Sequence, residues 1–189
     1  MSENHLAEIA NWSDSEIFTV GHSNRSIDDF LTLLETYAIR LLADVRTIPK
    51  SRHNPQFNAD ALTASLASVD IAYLAIPALG GLRHSRPNSP NGGWRNKSFR
   101  GYADYMQSAE FRDAVDFLES LGREKRTAIM CAEAVPWRCH RSLIADALEV
   151  RGDKVVEILS PTNWRQHRLT SFAVVDGTNI IYPPYQSTK

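Results

Sequence analysis

Long hydrophobic runs, nucleotide-binding glycine motifs and all but two cysteines are missing from this sequence, and each absence bears on its function. Two cysteines cannot make a disulfide framework, so we expect a reduced, cytoplasmic protein. No apolar stretch approaches bilayer-spanning length, and residues 1–8 lack the basic segment and apolar core of a signal peptide. The dinucleotide-binding glycine fingerprint and the Walker A motif are also absent. Nicotinamide dinucleotide enzymes and nucleoside triphosphatases are therefore not expected.

Net charge is nearly absent as well, because 21 Lys and Arg residues face 22 Asp and Glu residues. The net charge of the chain therefore does not attract nucleic acid or anionic lipid. Residues 45–59 and 78–103 depart from this balance, since both stretches contain basic residues and no acid. They form either a local positive face or two solvated loops.

The length of 189 residues and a hydrophobic content of 43% suit one domain with a substantial core. We predict a flexible N-terminal arm over residues 1–15 and a single α/β domain over residues 16–189. Short apolar segments predict five strands, at residues 17–20, 41–45, 72–76, 127–131 and 155–159.

Helical patterns lie between these strands, and this alternation predicts a three-layer α/β sandwich with a mainly parallel sheet of about five strands. Helices are expected on both faces. Residues 172–182 predict a C-terminal β-hairpin, because Asp176-Gly177 suits a type I′ turn. A helix is predicted over residues 102–121. Residues 78–100 are too long for a routine connection and predict a lid, a binding loop or a flexible insert.

The run Cys131-Ala-Glu-Ala-Val-Pro-Trp-Arg-Cys-His-Arg141 is the densest concentration of reactive side chains. It joins a predicted strand to a predicted helix, and open α/β folds place ligand sites at the carboxyl ends of their strands. The predicted catalytic residues are Cys131, Glu133, His22 and His140. The predicted ligand-binding residues, which follow the ends of several strands or lie in the basic stretches, are Ser23, Asn24, Arg25, Asp44, Arg46, Gly80, Gly81, Arg95, Arg100, Arg138 and Arg141.

Several blocks together resemble the Domain of Unknown Function 488 family, over about residues 18–159. The blocks are Thr19–Arg25, Asp44–Arg46, Ser51–Phe57, Leu79–Gly81, Trp94–Met106, Cys131–Glu133 and Pro136–Arg141, which includes the Cys-His-Arg motif. The resemblance implies family membership and a site built from these blocks, and it implies no particular activity.

The chemistry of the site stays open between several alternatives. A strand, a thiol, a loop and an arginine at a helix start favour anion binding and a reactive thiolate, as in cysteine phosphatases and rhodaneses. Six residues separate Cys131 from Arg138 where the phosphatase signature has five, and Pro136 removes a backbone donor. Cys131 is equally well explained as an inert buried residue. His22 is the preferred proton-transfer candidate.

No cofactor and no metal ligand is predicted, because no compact Cys-x-x-Cys or His-Glu-x-x-His spacing occurs. A metal ion stays open, since suitable atoms are offered by Cys131, Cys139, His140, Glu133 and His22. The preferred function is recognition of a phosphate-bearing ligand, either a nucleotide or a nucleic-acid segment. The concentration of reactive groups favours an enzyme. The alternatives are a cysteine-nucleophile enzyme acting on a small substrate and a non-catalytic binding module. No membrane partner is expected, and the oligomeric state is not predicted.

Overall fold

The protein is a three-layer α/β sandwich in the computed structural model, which describes residues 16–184; the predicted arm lies outside these residues. The strands are β1 (Glu16–Gly21), β2 (Leu41–Asp44), β3 (Ala72–Ala75), β4 (Thr127–Cys131), β5 (Lys154–Ser160), β6 (Asn163–Gln166), β7 (Val174–Asp176) and β8 (Asn179–Ile181). The helices are α1 (Ile27–Thr36), α2 (Ala59–Ala67), α3 (Lys97–Tyr105), α4 (Ala109–Glu124) and α5 (Arg141–Val150). None of these helices is long and apolar enough to cross a bilayer.

The main sheet has six strands in the order β3-β2-β4-β1-β5-β6. The first five strands of this order pair in parallel, which confirms the predicted mainly parallel sheet. β6 is an additional edge strand that runs antiparallel to β5. Its sequence, Asn-Trp-Arg-Gln, is mostly polar, so it carries no hydrophobic signal by which a strand could be predicted.

Two hydrophobic cores cover the two faces of the sheet, as predicted. One core packs α1 and α2 against the sheet through side chains such as Phe30, Leu34 and Leu66. The other packs α3, α4 and α5 through side chains such as Tyr102 and Leu118. The helices that follow β1 and β2 therefore pack on one face of the sheet. The helix that follows β4, the strand between them, packs on the opposite face. Such a divergence opens a crevice at the carboxyl ends of the strands.

The helix predicted over residues 102–121 is wrong in its bounds, because two helices occupy this stretch. Asn96 caps α3 by accepting a hydrogen bond from the Ser98 amide, so α3 begins five residues earlier than predicted. Ser108 caps α4 in the same way through the Phe111 amide. A serine that bonds to the backbone favours a helix start over a helix interior, so a new helix begins after Ser108.

The C-terminal hairpin is confirmed and consists of β7 and β8. Its turn residues are Gly177 and Thr178, one position later than predicted, with Gly177 at φ +58°. The segment after the hairpin ties down the long connection of residues 78–100. Asn91 is fully buried and accepts a hydrogen bond from the Tyr182 amide, while Gly93 donates to the Tyr182 carbonyl.

The buried carboxylate of Asp104 holds the same connection from the other side. It accepts hydrogen bonds from the amide of Arg86 and from the side chains of Ser89 and Asn91. The middle of the connection is therefore held to the domain by several hydrogen bonds.

Candidate functional site

A cleft of about 940 Å³ lies at the carboxyl ends of β1, β2 and β4. Nine of the predicted site residues line it, namely His22, Ser23, Asn24, Arg46, Gly81, Cys131, Glu133, Arg138 and His140. The cleft therefore brings together residues that follow the ends of several strands. Six other predicted residues do not line it, namely Arg25, Asp44, Gly80, Arg95, Arg100 and Arg141.

Cys131, Cys139 and His140 meet at the floor of the cleft. β4 ends at Cys131, and a tight turn at residues 136–138 brings the chain back so that Cys139 and His140 precede α5. The Nδ1 atom of His140 lies 4.0 Å from the sulfur of Cys131 and 3.7 Å from the sulfur of Cys139. Both cysteines are free thiols and are buried. Residues nine positions apart thus present their side chains to one point.

The orientation of His140 is fixed by the backbone after β2. Its Nε2 atom lies 2.9 Å from the carbonyl oxygen of Val45, which only accepts hydrogen bonds. Nε2 therefore carries the proton of the neutral ring, and Nδ1 presents its lone pair to the two sulfurs. Gly81 makes room for this ring, because a Cβ atom at that position would lie 2.5 Å from Nδ1.

Arg141 is a buried positive charge behind the two thiols. Its side chain is fully buried and donates hydrogen bonds to the Glu133 carbonyl and to the Thr19 hydroxyl. Its Nε atom is buried without a hydrogen-bond partner, and no carboxylate of residues 16–184 forms a salt bridge with it. A buried charge without a counterion raises the local positive potential.

The two thiols form a coupled pair under this potential. A hydrogen bond from Cys131 holds the pKa of Cys139 well below its usual value, against the effect of burial and with help from the charge of Arg141. The same hydrogen bond, together with burial, raises the pKa of Cys131. The Glu133 amide donates to the Cys131 sulfur and partly offsets this rise. The first ionisation of the pair is therefore favoured at Cys139.

His22 is held as a neutral ring. It is almost fully buried and stacks on Phe57 with 4.2 Å between ring centroids. Its Nδ1 lies 2.8 Å from the Ser23 carbonyl oxygen, and its Nε2 lies 3.3 Å from the Arg46 guanidinium. Burial lowers the pKa of His22 to about 4. Both ring nitrogens have partners within the protein, so His22 offers no free nitrogen to a ligand.

Asp44 and Arg46 form a buried ion pair below the cleft. The Arg46 guanidinium donates to both carboxylate oxygens of Asp44 and to the Phe57 carbonyl. Tyr73 donates a further hydrogen bond to Asp44. The charge of Arg46 is therefore balanced inside the protein, and the arrangement stabilises the loop after β2.

The remaining predicted arginines divide into internal and free side chains. Arg25 donates to the carbonyls of Gly21 and Leu159, and Arg100 donates to the carbonyl of Trp94. Arg95 is exposed and lies outside the cleft. Arg138 is exposed on the cleft wall, and its guanidinium makes no hydrogen bond or ion pair with the described part of the chain.

Sequence reasoning missed several side chains that line the cleft, namely Thr47, Ile48, Lys50, Leu82, Asn96 and Ser98. Lys50 belongs to the acid-free stretch of residues 45–59, and that imbalance was the available signal. Ile48 and Leu82 are largely exposed, at 61% and 72% of their surface. No pattern in the sequence separates an exposed leucine that lines a cleft from one that does not.

A family model described as a domain of unknown function, DUF488, matches residues 26–148. The match includes the cysteine-histidine run and excludes the block Thr19–Arg25, which lies just before it. No curated protein and no solved structure matches the chain.

Proposed function

Since the chain belongs to the DUF488 family, whose description carries no activity, we propose from the cleft itself that the protein binds an anionic, phosphate-bearing ligand there. The observation that supports this proposal is a surplus of positive charge. Lys50 and Arg138 line the cleft without an ion-pair partner in residues 16–184, and Arg141 is buried beneath it. Glu133 is the one carboxylate among the described lining residues. Guanidinium and ammonium groups bind phosphate through charge-assisted hydrogen bonds.

The neutral side chains of the cleft favour a nucleotide or a nucleic-acid segment. Hydroxyl and amide groups of Ser23, Asn24, Ser51, Asn54 and Asn96 line its walls and suit the hydroxyls of a sugar. Phe99 and the exposed side chains of Ile48 and Leu82 offer apolar surface for a base. A volume of about 940 Å³ lies within the range for small-molecule sites.

Thermal unfolding with and without ligand tests this proposal. The probes are adenosine and guanosine phosphates, short oligonucleotides and glycerol phosphate. A ligand at about 100 times its dissociation constant stabilises the fold by roughly 2.7 kcal/mol, which raises the melting temperature. We expect such a rise for at least one probe and a loss of affinity of about tenfold or more in Arg138→Ala.

The matched control is Arg95→Ala, which removes the same charge from an exposed position outside the cleft. We expect this variant to bind as the wild type does. No rise with any probe, or equal losses in the two variants, would overturn the proposal.

A further inference from the structure

We propose that Cys131, Cys139 and His140 bind a thiophilic divalent metal ion, with zinc as the best match, and that the ion keeps an open coordination position toward the cleft. The two sulfurs and His140 Nδ1 lie within 4.8 Å of one another at the cleft floor. Thiolate and imidazole are the ligands that zinc prefers, and two cysteines with one histidine form a known type of open zinc site.

The distances from the histidine nitrogen to the two sulfurs fit a tetrahedral ion. Zinc binds sulfur at about 2.3 Å and nitrogen at about 2.0–2.1 Å, so a tetrahedral site separates sulfur from nitrogen by about 3.6 Å. The observed separations from His140 Nδ1 are 3.7 Å to Cys139 and 4.0 Å to Cys131. An ion therefore enters this arrangement with small adjustments of side chains.

The surroundings of His140 are those of a metal ligand. Histidines that bind metals donate their second ring nitrogen to a carbonyl or carboxylate, which fixes the ring and its protonation. The Nε2 proton of His140 goes to the Val45 carbonyl at 2.9 Å, so Nδ1 is left to face the sulfurs. Gly81 supports the same orientation, because any side chain at that position would collide with the ring.

Charge favours an anionic fourth ligand. Two thiolates neutralise a divalent ion, so the buried charge of Arg141 stays uncompensated. An oxygen of hydroxide, or of an anion bound in the cleft, balances it. The metal site itself does not depend on the binding of phosphate, and the two proposals are tested separately.

The sequence does not reveal this site, because the spacing between its cysteine ligands is unusual. Seven residues separate the cysteines, whereas the familiar zinc motifs place two to four residues between paired ligands. Here the end of β4 provides the first cysteine, and the turn at residues 136–138 brings the second cysteine and the histidine back beside it.

Titration of the full-length, reduced and chelator-stripped chain with Co²⁺ tests the site. Cobalt in a tetrahedral thiolate site gives ligand-field bands in the visible and a sulfur-to-cobalt charge-transfer band in the near-ultraviolet. We expect both at one equivalent of Co²⁺ per chain, and we expect Zn²⁺ to displace the cobalt and abolish the bands.

The variants Cys131→Ser, Cys139→Ser and His140→Ala should bind Co²⁺ at least about 100-fold more weakly. His84→Ala is the matched control, because His84 is exposed and lies outside the cleft. Arg138→Ala should bind Co²⁺ as the wild type does, so failure of phosphate binding and failure of metal binding are distinguishable.

Protection of the thiols in the wild type gives a test that needs no variant to fold. One equivalent of Zn²⁺ should slow modification of both cysteines by a thiol reagent, and a chelator should restore it. Absence of the charge-transfer band, or Cys131→Ser and Cys139→Ser variants that bind Co²⁺ as tightly as the wild type, would overturn the proposal.

Discussion

Gly21 lies where the end of β1 passes closest to the loop after β4. A Cβ atom here would overlap the carbonyl oxygen of Glu133, which accepts a hydrogen bond from Arg141. The obstructing atoms are backbone atoms of Glu133 and Ala134, and the Arg141 side chain that bonds to the carbonyl is fully buried, so the overlap is costly to relieve. We expect Gly21→Ala to lower the free energy of unfolding by about 1–3 kcal/mol or more, as measured by urea denaturation.

Gly92→Ala is the matched control for this substitution. A Cβ atom at Gly92 would lie 3.4 Å from Pro184, which is ordinary van der Waals contact. Equal stabilities of the two variants would show that β1 and the loop do not approach each other as described.

Gly81 offers a residue-scale test of the metal site that spares the ligands themselves. In Gly81→Ala the new methyl group would press on the His140 ring and turn Nδ1 away from the sulfurs. We expect Co²⁺ binding to weaken by about 10–100-fold. Unchanged Co²⁺ affinity in this variant would contradict the described position of the ring.

At this scale the sequence indicated which strand ends would meet at the candidate site, but not the roles of the side chains there. Strand ends and the run from Cys131 to Arg141 located the cleft, because parallel strands bring their carboxyl ends to one edge. The sequence could not show that the hydrogen bonds of His22 would stay inside the protein, or that Arg141 would point away from the cleft. Those outcomes depend on side-chain directions set by tertiary packing.

The junction of α5, β5 and β6 contains a buried histidine that links the three elements. His167 follows β6, and its ring nitrogens lie 2.8 Å from carboxylate oxygens of Asp146 on α5 and Glu157 on β5. Burial opposes a charge on the ring, but the hydrogen bonds and charges of the two carboxylates outweigh it and raise the pKa of His167 to about 9. The ring is therefore a cation that holds the edge of the sheet.

This raised pKa predicts a stability that falls as the solution becomes alkaline. The unfolded value is about 6.5, so the contribution is fully present below pH 6.5 and is lost as pH rises through 9. We expect a loss of about 3 kcal/mol across this window, measured by urea denaturation at several pH values. His167→Gln should be less stable at pH 6 and should lose this part of the slope. A variant with the same slope as the wild type would refute the assignment.

At the scale of elements, hydrophobic periodicity predicted the strands and helices whose apolar side chains form the two cores. The five parallel strands and the helices on both faces follow from apolar segments that the sheet buries. β6 escaped prediction because its pairing with β5 depends on tertiary contacts. The break between α3 and α4 escaped because the apolar pattern continues across Ser108, whose side chain caps the second helix.

The molecule as a whole is nearly neutral, and this limits how ligand binding can depend on salt. With a net charge of −1, attraction of an anion comes from the local charges of the cleft. A nucleic-acid ligand that engages Lys50 and Arg138 neutralises two phosphates. The logarithm of its binding constant should then fall with the logarithm of salt concentration with a slope of about −1.4 to −1.8. Titrations over a series of sodium chloride concentrations measure this slope, and a slope of zero would exclude the nucleic-acid form of the ligand.

The central position of β1 has a consequence for how the protein is made. β1 leaves the ribosome before the other described strands, yet its neighbours are β4 and β5, so that Ile17 pairs with Thr127 on one side and with Val155 on the other. At about 5–20 residues per second, β1 waits roughly 5–20 s for its first partner. During that time its apolar side chains have no sheet to join, and β2 and β3 have no strand that connects them to it. We therefore expect nascent chains that end before β4 to depend on chaperones, and the last third of the polypeptide to decide whether the first third folds.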